Sequence, residues 1–239
     1  MIVNTRPKLL SSRLIELSSD LNLNILNAHL SKIVTTDLKA DFQKTKKILD
    51  RVDTYKNLIF TSQASADIGL KIIKRYTDID LNLLNIFSIG PATKKLLYSK
   101  EGINSITPDE PSSESLLKLI QSKYPGKNLL FCGDNSNKFL QNNLKESIDE
   151  ISCYKLQYSD QDLKKITKYH RIILIYNFLT FEFIYKTVDS SFLNEKIIVT
   201  ASKRIKDKIN ILSKNQNLKV YAAKDPSDES MLSLAKSFT

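Results

Sequence analysis

Glycine is scarce in this chain, five in 239 residues, and no two take Gly-x-Gly-x-x-Gly or Gly-Lys-Ser/Thr spacing. The loops that cradle the phosphates of dinucleotides and nucleoside triphosphates are therefore unsupported. The two histidines, His29 and His170, lie far apart, and the two cysteines do not fall at ligand spacing, so no metal is expected. A Ser-His-Asp triad has no nucleophile elbow to start from. Tryptophan is absent, and no uncharged apolar run reaches the length of a membrane span. The N-terminus carries no signal-peptide pattern, which makes the cytoplasm the expected location and a membrane an unexpected partner. Cys132 and Cys153 then read as small buried hydrophobes and not as a disulfide.

Charge of one sign is short as well: 26 acidic residues against 36 basic ones leave a net +10. Such a balance suits a polyanionic partner. The lysines are scattered over predicted helix faces, without a tail, a stripe or a basic cluster interleaved with aromatics, so nucleic acid is not expected. The charge is compatible with a small polyanion and does not identify one.

What is present is a duplication. Pro111-Ser-Ser-Glu-Ser-Leu-Leu-Lys-Leu119 and Pro226-Ser-Asp-Glu-Ser-Met-Leu-Ser-Leu234 are near copies, and each closes the same series of segments. In the first copy Asn57-Leu-Ile-Phe60 ends in Thr61-Ser62 ahead of a helical segment to about Lys74, and Asn85-Ile-Phe-Ser-Ile89 ends in Gly90-Pro-Ala-Thr93. In the second, Arg171-Ile-Ile-Leu-Ile175 ends in Tyr176-Asn177, and Lys196-Ile-Ile-Val199 ends in Thr200-Ala-Ser-Lys-Arg204. Short strands at Ile103 to Ile106 and Leu218 to Tyr221 precede the twin helices, whose Ser-after-Pro caps and whose Glu114 or Glu229 suits the helix dipole. Upstream, Met1-Ile-Val-Asn-Thr5 and a helix from Pro7 to Ser19 match Asn128-Leu-Leu-Phe-Cys132 and a helix from Ser136 to Ser147, with strands near 24–30 and 150–157.

Short apolar runs between polar turns, separated by helices, read as parallel strands buried on both faces. The fold class expected is α/β, as two similar parallel-sheet domains of roughly 110–120 residues. In such sheets ligands bind beyond the carboxyl ends of strands, where helix N-termini offer free N–H groups. Thr5-Arg6, Thr61-Ser62, Gly90 to Thr93, Gly133-Asp134, Asn177 and Ser202 to Arg204 all occupy such ends. Each is also a residue type that caps helices without any ligand; together they describe a site lined by backbone donors that suits carboxylates.

The collinear series resembles the bacterial uroporphyrinogen-III synthase family over essentially the whole chain. Met1-Ile-Val-Asn-Thr-Arg-Pro7 is similar to the family's opening strand and Thr-Arg-Pro turn, Leu58-Ile-Phe-Thr-Ser62 to its Phe-Thr-Ser strand end, and Phe87-Ser-Ile-Gly-Pro-Ala-Thr93 to its Ile-Gly-x-x-Thr turn. Leu129-Leu-Phe-Cys-Gly133, Cys153-Tyr-Lys155 and Ile198-Val-Thr-Ala-Ser-Lys-Arg204 resemble its later motifs.

The resemblance implies that the domains interlock: residues 1–31 with 160–239 form one, 32–159 the other. A two-stranded antiparallel connector near 30–35 and 153–158 joins them, with the ligand cleft between. It implies a monomeric lyase of heme biosynthesis, without cofactor or metal, that cyclises hydroxymethylbilane to uroporphyrinogen III with loss of water and inversion of ring D. The substrate, a small molecule with eight carboxylates, gives the basic charge a purpose. Tyr154 falls at the family's candidate acid. Thr61, Ser62 and Thr93 are implied to bind carboxylates, with Gly90 and Gly133 giving the backbone close approach. Arg6, Asn177, Ser202 and Arg204 are implied to contribute from the other domain. The chain departs from the pattern at Asn177-Phe-Leu179, where many members have Ser-x-Ser, and at His29, where proline is common. The other reading is a noncatalytic two-domain binding protein for a small polyanion.

Overall fold

The computed structural model describes residues 1–36, 42–214 and 218–239. The chain divides into two compact units, Met1–Ile33 with Leu156–Thr239, and Val34–Lys155. Strand β1 (Ile2–Asn4), helix α1 (Ser12–Asp20) and strand β2 (Ile25–Asn27) come first. Strand β3 (Ser31–Thr35) leads into α2 (Phe42–Leu49), β4 (Asn57–Phe60), α3 (Gln63–Tyr76), β5 (Asn85–Ser88), α4 (Pro91–Glu101) and α5 (Ser113–Lys123). Then follow β6 (Asn128–Gly133), α6 (Phe139–Leu144) and the long β7 (Ile148–Tyr158). The chain closes with β8 (Ile172–Ile175), α7 (Phe178–Thr187), α8 (Ser190–Asn194), β9 (Ile197–Thr200), α9 (Lys203–Leu212), β10 (Lys219–Ala222) and α10 (Asp228–Lys236).

The described residues form two five-stranded sheets, one in the order β10-β9-β8-β1-β2 and the other in the order β3-β7-β6-β4-β5. Within the first, β1 pairs in parallel with β2 and β8, and β9 with β8 and β10. Within the second, β4 pairs in parallel with β5 and β6, and β6 with β7. The duplicated series reappears as topology: β8, β9 and β10 answer to β4, β5 and a single parallel bridge at Phe87–Ile106, while β1 and β2 answer to β6 and β7.

Apolar runs become these strands because both faces are covered. In the second unit Leu58, Phe60, Ile86, Leu129 and Phe131 join one core, while Ile59, Phe87, Leu130 and Cys132 join another. This is strand alternation read on two buried faces. Helices α3 and α4 pack together, as do α5 and α6. Gly69 of α3 brings that helix onto the stacked rings of Phe60 and Phe131, whose atoms would lie 2.7–2.8 Å from an added Cβ. The first unit repeats the pairing with α1 against α10 and α7 against α9. Among the described residues, no helix is long and apolar enough to cross a membrane.

The twin segments are helices capped alike: Ser112 accepts from Ser115 N–H and Ser227 from Ser230 N–H. Glu114 and Glu229 sit in their first turns. Several expected elements are shorter than the sequence suggested, among them the strand expected near 24–30, which is β2 alone. The helix expected over Ser136–Ser147 contracts to α6, because Lys138 takes a left-handed φ of 54° that delays its start. The strand expected at Ile103–Ile106 is reduced to its one bridge after Gly102 turns the chain out of α4 at φ 67°. The helix expected from Pro7 breaks into a 3-10 turn over Lys8–Leu10 and then α1, where Ser11 Oγ donates to Pro7 O and accepts from Asn4 Nδ2.

Candidate active site

Topology places a crevice in each sheet. After β1 the chain moves to β2 and after β8 it moves the opposite way, to β9, so the loops beyond β1 and β8 diverge. The same divergence occurs beyond β6 and β4. These are the switch points at which open α/β sheets bind ligands.

Beyond β4 and β6 the structure brings together three of the residues singled out from sequence. Ser62 is the N-cap of α3, its Oγ accepting from Ser65 N–H at 3.1 Å in a reciprocal capping box. The same Oγ lies 3.1 Å from the Tyr154 phenol. Tyr154 stands over Gly133: a Cβ on the glycine would lie 2.8 Å from Tyr154 Cζ and 3.1 Å from its Oη. A bulge between Cys132 and Gly133 sets this contact, since Cys132 pairs with Ser152 but Gly133 with Tyr154. Asp134 N–H then donates to Tyr154 O at 2.9 Å. The ring packs on the α3 side of the core, and burial raises the phenol's pKa, with the Ser62 hydrogen bond opposing the rise. Thr61 adjoins the group through a long bond, 3.4 Å, from its Oγ1 to Phe131 O.

Gly90 and Thr93 lie one strand over. Gly90 caps α4 ahead of Pro91 in extended backbone, and Thr93 is buried. The nearest atom to a Cβ on Gly90 is Pro111 Cβ at 3.7 Å, an ordinary contact, so nothing inside the chain requires glycine there. The thiols nearby are inert: burial pushes Cys132 up to about 11 and Cys153 up to about 12.

Beyond β1, β8 and the neighbouring β9 the arrangement differs in kind. Asn177 caps α7, accepting from Leu179 N–H at 2.8 Å, and Ser202 caps α9, accepting from Ile205 N–H at 3.4 Å. These side chains serve their own helices, each cap stabilising by about 1 kcal/mol, and leave the first N–H groups of those helices for an anion. Arg204 is exposed in the first turn of α9. Arg6 is committed inside the unit. Its Nη1 lies 2.6 Å from Asp228 Oδ1, and its guanidinium sits over the Tyr176 ring, Cζ 4.4 Å from the centroid. The Tyr176 hydroxyl donates to the same Asp228 oxygen at 2.7 Å. Burial, and then the Asp228 charge, raise the Tyr176 pKa. His29 Nδ1 donates to Arg6 O at 2.7 Å, and its backbone N–H donates to Asp162 Oδ2.

Asp228 and Tyr176 escape sequence reasoning. The available signal is the repeat itself, since Asp228 stands where its twin helix carries Ser113.

A family model described as uroporphyrinogen-III synthase HemD matches residues 14–233. Among solved structures, a mutant uroporphyrinogen III synthase from the extremely thermophilic bacterium Thermus thermophilus aligns at a TM-score of 0.64 and 13% identity, over 99% of this chain and 97% of that one. Uroporphyrinogen-III synthetase from Helicobacter pylori 26695 aligns at 0.60 and 15% identity, over 100% and 99%. At such identities the likeness shows the fold. No curated protein sequence matches the chain at significance.

Proposed function

The chain belongs to the uroporphyrinogen-III synthase family, and from that premise we propose how its own residues divide the work of cyclising hydroxymethylbilane. It is a lyase of porphyrin biosynthesis that acts on a small-molecule substrate. The observation that carries this reading is the family match across residues 14–233.

Tyr154 is the proton donor. As the C–O bond at the ring A end breaks, the phenol proton goes to the departing hydroxyl and leaves as water, and the tetrapyrrole, its pyrrole N–H retained, becomes an azafulvenium cation beside the phenolate. Ring D attacks through its substituted position, and the spiro intermediate fragments and recloses inverted. The phenol recovers its proton when the closing pyrrole carbon loses one. What supports this role is the phenol's contact with Ser62 at the N-terminus of α3, where a helix dipole favours transient negative charge. What opposes it is burial, which raises the phenol's pKa and keeps it a modest acid. Most of the catalysis is therefore positioning, because an azafulvene closes on its own and the uninverted product competes.

Thr61, Ser62, Thr93, Asn177, Ser202, Arg204 and Arg6 bind carboxylates, the capping residues through the helix N–H groups beside them. Gly133 gives Tyr154 its place. Gly90 offers backbone to the substrate. The two units act as domains, the first discontinuous, in a cytoplasmic monomer that binds no nucleic acid.

The test is direct. Purified protein is given fresh hydroxymethylbilane, the product is oxidised, and isomers I and III are resolved by chromatography. Isomer III in excess of the protein-free reaction is the expected result; isomer I alone, at the uncatalysed rate, overturns the reading.

A further inference from the structure

Arg6 is fixed more thoroughly than a residue that merely meets a ligand needs to be. Its backbone N–H donates to Asn4 Oδ1 at 3.0 Å, and its carbonyl accepts from His29 Nδ1 at 2.7 Å. Its side chain is gripped by Asp228 and by the face of Tyr176, and those two are joined to each other through the hydroxyl. Only 13% of the Arg6 side chain and 8% of the Asp228 side chain remain accessible. Asp228 is the first residue of α10, where the helix dipole also favours its charge.

A guanidinium carries five N–H donors, and Asp228 takes Nη1 alone. The Nε–Nη2 edge is the planar pair that matches a carboxylate. Were the network only structural, an apolar trio would serve as well, since a buried ion pair is weak support for stability. Its place beyond β1 and β8, at the switch point, is where a ligand arrives.

We propose that Asp228 and Tyr176 are positioning residues that hold Arg6 as a charge-neutralised, pre-oriented fork for one carboxylate of the substrate. This rests on the reading of the chain as a cyclising enzyme. Because the fork is already held, binding surrenders little rotamer freedom, and because Asp228 offsets the charge, recognition depends on geometry more than on net attraction.

The experiment measures KM and kcat for isomer III formation and, separately, the Kd for uroporphyrin III, a nonreacting octacarboxylate. The second readout survives if turnover fails. Asp228→Asn is expected to raise KM and Kd about tenfold with kcat nearly unchanged, as loss of a charge-assisted contact predicts. Tyr176→Phe raises both by about threefold, and Arg6→Gln raises them at least as much as Asp228→Asn. Asp228→Asn then adds nothing in the Arg6→Gln background. If Asp228→Asn fails to fold, Arg6→Lys replaces it: it keeps the charge but lacks the fork, and is expected to match Arg6→Gln. Overturning results are an unchanged or lowered KM and Kd in Asp228→Asn, full additivity with Arg6→Gln, or a Lys variant that binds like wild type. Wild-type protein that binds uroporphyrin III but makes no isomer III refutes the enzyme reading while the fork is still judged on Kd; absence of both overturns both.

Discussion

Gly133 lies directly beneath the ring of Tyr154, so close that a methyl group on the glycine would meet the ring carbon Cζ at 2.8 Å. The ring cannot simply swing aside, because it packs against the core and its hydroxyl meets Ser62. Gly133→Ala is expected to displace the phenol from Ser62, to destabilise the fold by about 1–3 kcal/mol as overpacking does, and to lower isomer III formation steeply. Gly90→Ala is the control. With 3.7 Å of room, its stability should stay within about 0.5 kcal/mol of wild type. Equal effects of the two substitutions on the unfolding temperature would refute the distinction.

Tyr154→Phe separates the phenol from its ring. Ser62 Oγ keeps its bond from Ser65 N–H, so the cap survives and the unfolding temperature should change little. Turnover at saturating substrate should fall by about a hundredfold, the low end of what a positioned acid contributes. Since burial moves the phenol's pKa upward, it stays protonated through neutral and mildly alkaline pH, and the wild-type rate should show no phenol-linked decline there. Unchanged turnover in the variant removes Tyr154 from the proton transfer.

The parts of this molecule that sequence reveals are those with one physical cause each. A strand buried on both faces reads as a run of apolar residues, so the centres of β4, β6, β8 and β9 stand out. A helix that begins in a sharp turn needs a cap, so Ser62, Ser112, Asn177, Ser202 and Ser227 stand out too. What escapes has two competing causes or a distant partner. Asp228 in a first turn is already explained by the helix dipole, and nothing local tells that it reaches Arg6, 222 residues away. Plain alternation would set Gly133 against Cys153; the bulge that substitutes Tyr154 leaves no mark in composition. The upstream repeat is offset likewise: sequence sets Met1 against Asn128, while the ladders pair Ile2 with Ile172 and Asn128 with Asn57, making Ile2 the counterpart of Asn128.

Three asparagines open three adjacent strands and bond across the sheet. Asn85 Nδ2 donates to Asn57 Oδ1 and Asn57 Nδ2 to Asn128 Oδ1, each at 2.9 Å, while Asn57 Nδ2 also donates to Tyr124 O. Asn57 and Asn128 are buried. Asn57→Leu keeps the volume but leaves an amide N–H and two acceptors unpaired, which should cost about 2–4 kcal/mol. Asn85→Ala, at a half-buried position, should cost about 1 kcal/mol. Urea unfolding of both variants measures this; a Leu variant as stable as wild type would show that the ladder contributes no register energy.

At the N-terminal end of β9, His170 and Lys196 converge on Thr167. The Thr167 backbone N–H donates to His170 Nδ1 at 3.0 Å, so that nitrogen is unprotonated and the imidazole neutral, and Lys196 Nζ donates to Thr167 O at 2.9 Å. Burial first, then the charges of Lys196 and of the N-terminus, lower the His170 pKa from its ordinary 6.5. The unfolded chain therefore takes up the proton before the folded one does. Stability conferred by neutral His170 is complete above about pH 6.5 and is lost as pH falls through the lowered folded value. Lys196 is likewise lowered by burial, with Glu195 opposing, so its contribution to stability improves as pH rises toward 10.5. His170→Asn, whose side-chain oxygen can still accept from Thr167 N–H, should flatten the stability profile just below pH 6.5 while leaving the alkaline limb, and Lys196→Met should flatten the alkaline limb. Chemical denaturation across pH 5–10 checks both. A His170→Asn profile parallel to wild type below pH 6.5 would place the acid-sensitive proton elsewhere in the chain.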